Sequence, residues 1–294
     1  MAESRIPVDL FNPGQVFACL GFMELADVLL GDAEAGFDWS DKAKPVFRLK
    51  ANGKINPFKA TIKFATGAKL RSASPSHATL NTSKWAVETR EITADEAFPF
   101  PAPASPATLP AELKKYGVIL QVDHWGDATI RDNVKFWAGS GGYPGTALWR
   151  DAVALVKENA LTCTANPFAL QAPQSSSFRF DWRRDYVPLD AGFSPNEHTD
   201  MIMVGYPLVE LFAAIGLSHA RPQKPNRRDK LSYRYGVMGS DKNDAELLAP
   251  TLMRAALGGC VMPFPQRIFR MTLDWPGQEN QARCITAVTE EMIK

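Results

Sequence analysis

Residues 203–234, MVGYPLVELFAAIGLSHARPQKPNRRDKLSYR, join an apolar run directly to the densest block of positive charge in the chain. From Pro207 to Leu217 nearly every side chain is apolar or small, and Glu210 is the only charge. A helix here is apolar around most of its circumference and belongs in a core. Pro207 suits a first helical turn, and Gly216 with Pro222 marks the expected end. Behind it come Arg221, Lys224, Arg227, Arg228, Lys230 and Arg234, six cations in fourteen residues against one anion, Asp229. Pro222, Pro225 and Asn226 break any regular element. A loop this basic, held on a buried helix, has the shape of a polyanion contact. The competing reading is a solvated charged face.

The rest of the chain limits what that loop can serve. At 294 residues, with 45% hydrophobic and 22% charged residues, the composition is that of an ordinary globular protein with a large core. The net charge is only +1, so nucleic-acid binding has to come from local clusters, which favours a subunit whose partners supply part of the field. The start, MAESRIPVDL, lacks a signal-peptide pattern, and no apolar run approaches the roughly eighteen residues of a membrane span. A cytoplasmic protein with no membrane partner is expected. Cys19, Cys163, Cys260 and Cys284 are far apart, with no CxxC pair and no histidine at ligand spacing. They read as buried thiols, so no disulfide framework, metal or cofactor is implied.

Outward from the central stretch, the chain reads as α+β. Ile6–Leu10 is an expected strand, and Asn12-Pro13 caps a helix that ends near Gly31, with Gln15, Glu24 and Asp27 as its polar edge. The runs NPGQVFACLGFMEL and YPLVELFAAIGL each place a proline before an aromatic-Ala-x-hydrophobic-Gly sequence, which hints at two related strand-helix units. VFRLK and FKATIKF alternate apolar and basic residues around Asn52-Gly53, so a hairpin is expected, with Lys50, Lys59 and Lys63 on or beside one face. Trp85–Ile92 reads as a strand. Residues 98–111, FPFPAPASPATLPA, hold five prolines and no charge and form an extended connector between an amino-terminal part, 1–97, and a carboxyl-terminal part, 112–294.

Beyond the connector, Val118–Val122 reads as a strand and Thr146–Leu161 as a helix with a stripe of Leu148, Ala152, Leu155 and Val156. Ser177–Asp190 alternates Phe178, Phe180 and Trp182 with Arg179, Asp181 and Arg183, the period of a strand with one aromatic and one charged face. Leu231–Val237 and Arg267–Leu273 read as strands and Asp244–Leu257 as a helix. The sum is mixed or antiparallel sheets around a few buried helices.

Candidate chemistry is sparse. The loop AGSGGYPG, residues 138–145, precedes a helix start where backbone N–H groups could clamp a phosphate through Gly141 and Gly142 with help from Lys135. The lysine and hydroxyl of a P-loop are missing, and a tight turn is the competing reading. His124 with Asp127 and His198 with Asp200 are the nearest approach to catalytic pairs, and Ser140 is outside a G-x-S-x-G pattern, so no catalytic residue is assigned. Arg183 and Arg184, with Trp182 and Tyr186, offer planar cations and aromatic faces to a nucleic acid. The alternative is that Trp182 is core and the arginines pair with Asp181 and Asp185.

Four stretches, IPVDLFNPGQVFACLGFMELAD, DNVKFWAG, YPLVELFAAIGL and RYGVMG, together resemble a known family. They look like the large-subunit-like protein of type I-G, formerly I-U, CRISPR interference complexes (Cascade). The resemblance implies a non-enzymatic subunit that joins other effector subunits and a guide RNA, helps find and open target DNA, and cooperates with a separate helicase-nuclease. In such effectors base pairing reads sequence, while side chains read a short flanking motif and backbone shape. A backbone or assembly subunit facing guide RNA is one alternative. A metal-dependent nuclease is another, opposed by the lack of an acidic cluster.

Overall fold

Two asparagine-proline pairs start two of the helices that build the core. In a computed structural model that describes residues 1–75, 87–92, 111–122, 145–157, 159–174, 177–184, 203–226, 228–229, 231–242, 246–274 and 284–292, strand β1 (Ala2–Pro7) leads into helix α1 (Pro13–Leu30). The side-chain oxygen of Asn12 accepts the Gln15 N–H at 3.3 Å, as the sequence requires of a cap. There follow β2 (Glu34–Asp38), β3 (Val46–Ala51), α2 (Pro57–Gly67), β4 (Lys69–Pro75), β5 (Thr89–Ile92), β6 (Ala111–Lys115), β7 (Val118–Val122) and α3 (Gly145–Val156). The chain continues through β8 (Ala172–Pro173), β9 (Val204–Gly205), α4 (Pro207–His219), β10 (Ser232–Ser240), α5 (Pro250–Leu257), β11 (Gln266–Asp274) and β12 (Cys284–Glu291).

The fold is α+β, with mixed sheets. One sheet has the order β1-β3-β2-β10-β11-β12 and is antiparallel except where β10 meets β2 through Gly239↔Phe37 and Ser240↔Asp38. A second has the order β5-β4-β6-β7, with β4 and β5 parallel. Both sheets take strands from either side of residues 98–111. Strand alternation does what its period demands: β3 buries Phe47, Leu49 and Ala51 and turns Arg48 and Lys50 outward.

The helices α1 and α4 lie between these layers, buried from Pro13 to Ala26 and from Pro207 to Leu217. They touch backbone to backbone. A methyl group added at Gly21 would fall on the Phe212 carbonyl oxygen, and one added at Gly216 would fall on the Phe17 carbonyl oxygen. The two similar runs, Phe17–Gly21 and Phe212–Gly216, are thus the segments that meet. Phe22 stacks on Phe212 beside the crossing, with ring centroids 3.7 Å apart. By length and composition α1 could cross a membrane, but 78% of it is buried inside the protein, as in a core helix.

The four cysteines are not all buried thiols, since Cys163 is half-buried and Cys260 exposed, and three expectations about the helices are also corrected. Residues 57–67 form a helix, not the second strand of a hairpin. Asn56 caps it by accepting the Lys59 N–H at 3.1 Å, and the buried positions Phe58, Thr61, Ile62 and Ala65 follow a 3.6-residue period. Lys59 and Lys63 therefore stand exposed on α2. Gly216 is inside α4 and serves the crossing, and the helix ends three residues later at His219. The helix expected from Asp244 begins at Pro250, where proline suits a first turn.

Replacing Gly21 or Gly216 by alanine should destabilise the protein, because the gain in helix propensity, about 1 kcal/mol, is smaller than the cost of forcing two backbones apart. Gly67→Ala is the control, since its methyl would meet only the flexible end of Lys115. Urea denaturation should show losses of about 1–3 kcal/mol at the two crossing positions and none at Gly67. Equal behaviour of all three variants would remove the crossing from its structural role.

Candidate nucleic-acid interface

The basic loop is closed at its base by backbone pairing. Gln223 and Arg234 exchange two hydrogen bonds of 2.7 Å, so the intervening chain leaves and re-enters at fixed positions. Turn chemistry organises its interior. The Asn226 side chain accepts the Arg228 N–H at 2.9 Å, the Asn226 carbonyl accepts the Asp229 N–H at 3.1 Å, and the Asp229 side chain accepts the Leu231 N–H at 2.8 Å. Arg221 is half-buried at the foot of the loop, Lys224 is half-buried and Arg228 is exposed. Neither Lys224 nor Arg228 has a carboxylate partner among the described residues. Arg227 and Lys230 lie outside the described residues.

Arg234 is not part of the loop but of β10, and it has a partner that sequence reading missed. Its register partner on β11 is Arg270, so two guanidinium groups face each other across adjacent strands. They share one carboxylate: Glu291 accepts Arg234 Nε at 2.6 Å and Arg270 Nε at 2.5 Å. Partial burial acts to raise the Glu291 carboxyl, but the hydrogen bonds from Arg234 and Arg270 outweigh it and hold the group below its ordinary value. Like charges directly opposite in a sheet repel, and one carboxylate offsets only half of the charge. This sheet face, next to the foot of the loop, keeps a surplus of positive charge. No sequence pattern marks Arg270, because its contribution depends on strand register.

The segment from Ser177 is not a strand. Arg179 has φ +61°, in the left-handed region, and breaks the extended run. The Phe180 and Asp181 N–H groups both go to Glu210 Oε1 at 3.1 Å instead of to a neighbouring strand. Phe178 and Phe180 are buried with rings stacked 5.2 Å apart, and Trp182–Arg184 forms a 3-10 turn. Asp181 is fully buried. It accepts the Asn12 side-chain N–H at 2.9 Å and holds Arg183 through Nε at 2.9 Å and Nη2 at 2.5 Å. The alternative reading, in which Arg183 pairs with Asp181, is the one this segment adopts. The Arg183 guanidinium is also stacked 3.4 Å from the centre of the Tyr206 ring.

The side chain of Arg184 lies outside the described residues, as do Lys135, Gly141, Gly142 and the rest of 138–144, and His124, Asp127, His198 and Asp200; Gly145 is the first residue of α3. Comparison with protein-family models, with curated proteins and with solved structures finds no match for the chain. The class defined by fold and surface is an α+β protein with a basic loop beside an arginine pair on a sheet face.

Glu291→Gln should leave the protein folded but less stable by about 0.2–1 kcal/mol, since the two arginines then face each other without a shared anion. The deficit should shrink between about 0.01 M and 1 M salt, where the screening length falls from about 30 Å to about 3 Å. A deficit that ignores salt in thermal melts would mean that Glu291 acts through packing.

Proposed function

We propose that this chain is a non-catalytic subunit of a type I CRISPR RNA-guided DNA-targeting complex (Cascade), acting in the cytoplasm in antiviral defence. Its part is to contact target DNA during recognition and R-loop formation. Its partners are the other effector subunits, the guide RNA, the target DNA and a helicase-nuclease recruited to the assembly. The resemblance of the four sequence stretches supports the system. The observation that carries the binding role is the loop closed by Gln223 and Arg234, which presents Lys224 and Arg228 without carboxylate partners among the described residues, beside the Arg234–Arg270 pair.

Phosphate neutralisation by lysine and arginine releases counterions and supplies most of the sequence-independent affinity for DNA. A chain with a net charge of +1 cannot hold DNA by its overall field. It can contribute a local track within a channel that its neighbours complete.

Coexpression with the remaining subunits should yield a complex that contains this chain and the guide RNA. Recovery of the chain as a lone monomer, while the others assemble and bind target DNA unchanged, would remove the subunit role. Within the complex, joint replacement of Arg227, Arg228 and Lys230 by alanine should weaken target binding without unfolding the chain. Loss of phosphate contacts lowers affinity equally on all flanking sequences and reduces the salt slope by about 0.9 per contact on duplex DNA. Loss of a guanine contact instead costs about 1–3 kcal/mol of discrimination at one position. Wild-type affinity and salt dependence on every target would show the loop to be solvated surface.

A further inference from the structure

A cleft of about 530 Å³ opens between the Pro7–Phe11 segment that leads into α1, the Lys42–Val46 approach to β3 and the turn at 166–169. Arg183 and Arg267 both line it. Strand alternation places Arg267 on the side of β11 that carries Phe269 into the core, opposite the Arg234–Arg270 face. The cleft and the basic loop are therefore separate features.

The two arginines are held in the same way. Arg267 donates Nε and Nη2 to the two oxygens of Glu290, each at 2.7 Å, and its guanidinium lies 5.2 Å from the ring centre of Phe269 and 5.8 Å from that of Trp39. Arg183 gives Nε and Nη2 to Asp181, gives Nη2 also to the Phe168 carbonyl at 3.0 Å, and stacks on Tyr206. In both, Nη1 makes no hydrogen bond among the described residues. A bidentate carboxylate orients each guanidinium, and the Tyr206 ring adds a stacked face for Arg183, leaving one donor nitrogen free in each.

Both counter-carboxylates neutralise their arginines, so the surplus charge of the cleft comes from Lys42 and Lys44. Both are exposed at its rim without an ion pair among the described residues, although Lys42 is within electrostatic range of Glu290. Against them stands Asp9. Burial pushes its carboxyl above the ordinary value, despite the Phe11 N–H it accepts and the nearby Arg183 charge, and the two lysines outnumber this one acid in the cleft wall. Phe11 is 38% exposed in the cleft wall, edge-on to Phe269 at 5.0 Å. Fixed donors, flexible lysines and an accessible aromatic ring in one concavity are what an anionic ligand with a flat aromatic group needs. The volume lies within the range of about 300–1,000 Å³ typical of small-ligand sites.

We propose that this cleft binds a nucleotide unit of a single-stranded nucleic acid, its phosphate between Lys42, Lys44 and the two Nη1 donors and its base against Phe11. A duplex keeps its bases stacked inside, and only an unpaired strand can offer both groups to a cleft of this size. The proposal rests on the reading of the chain as a nucleic-acid-binding subunit, but on different residues.

The test uses the full-length chain with fluorescein-labelled ten-nucleotide oligouridine, oligothymidine, an oligothymidine with abasic sites, and a duplex, followed by anisotropy. Wild type should bind the intact single strands more tightly than the duplex or the abasic strand, and the oligouridine and oligothymidine arms separate RNA from DNA as the source. Lys42→Ala with Lys44→Ala, both exposed and safe for folding, should lower the salt slope by about 0.7 per lost contact. Phe11→Ala should weaken binding of the intact strands by about 5- to 150-fold and leave the abasic strand unchanged. Wild type that binds no single strand, or cleft variants that keep wild-type affinity and salt slope, would overturn the proposal. If the Arg227, Arg228 and Lys230 triple variant alone lost binding, the cleft would fall while the loop reading stood. Loss in the cleft variants alone would leave the cleft standing and the loop in doubt.

Discussion

The structure depends on the crossing at which Gly21 rests on the Phe212 carbonyl and Gly216 on the Phe17 carbonyl. Two helices that are apolar around most of their circumference cannot lie on a surface, and the shortest approach between them needs residues without side chains at the contact. Once α1 and α4 are joined this way, all of their remaining surface has to be covered. The six-stranded sheet, the four-stranded sheet and the shorter helices supply that cover, and one hydrophobic core runs from Ile6 to Ile285 across all of them. Charge is thereby displaced to loops, strand faces and the ends of elements, where the candidate contacts are found.

The charged groups that do enter this interior hold irregular chain in place. Glu210, the only charge between Pro207 and Leu217, gives one carboxylate oxygen to two backbone N–H groups of the 180–181 segment, which have no strand partner. Buried backbone donors need an acceptor, and here a helix side chain supplies it. Asp181 then connects Asn12 at the start of α1 to Arg183, so one buried carboxylate serves a helix cap and an arginine at the surface. Glu24 does the same for α5, accepting Arg254 through both oxygens at 2.5 Å. The close Arg254 charge and Glu24 act in opposite senses on His219, whose burial pushes its pKa down.

These arrangements explain what was legible in the sequence. Asn12-Pro13 and Pro207 announced their helices because capping and a proline in the first turn are local chemistry. Asn56-Pro57 carried the same signal, but the apolar-basic alternation of FKATIKF, a pattern that seven residues of helix can imitate, obscured it. The alternation of 177–182 showed an aromatic side, of which Phe178 and Phe180 are buried and Trp182 half-buried, whereas its backbone was not legible, since the acceptor that replaces a strand neighbour is Glu210, about thirty residues away in sequence. Within the candidate interface the loop was visible as a charge cluster. Its closure at Gln223 and Arg234, the pairing of Arg234 with Arg270, and the convergence of Lys42, Lys44, Arg183 and Arg267 on one cleft are products of register and topology, which a linear pattern does not encode.

The near balance of 33 basic and 32 acidic residues is resolved in space by pairing. On the sheets, Arg48 meets Glu3, Lys50 meets Glu34, Arg90 meets Glu112 and Arg267 meets Glu290. Apart from Arg90–Glu112, whose carboxylate is buried, these partly exposed pairs add little stability, but each cancels a field that would otherwise attract polyanions without discrimination. The loop and the cleft carry unpaired lysines or arginines among the described residues, in different ways. At the loop, the half-buried Lys224 and the exposed Arg228 have no carboxylate partner among the described residues and suit the variable spacing of phosphates along a backbone. At the cleft, arginines whose charge is already balanced keep one oriented donor each, so they add geometry more than attraction, while Lys42 and Lys44 add attraction without fixed geometry. On the proposed reading, attraction from the lysines falls with salt, whereas stacking on Phe11 does not. The division of labour between salt-sensitive holding and salt-insensitive fitting follows from which cations the fold has paired.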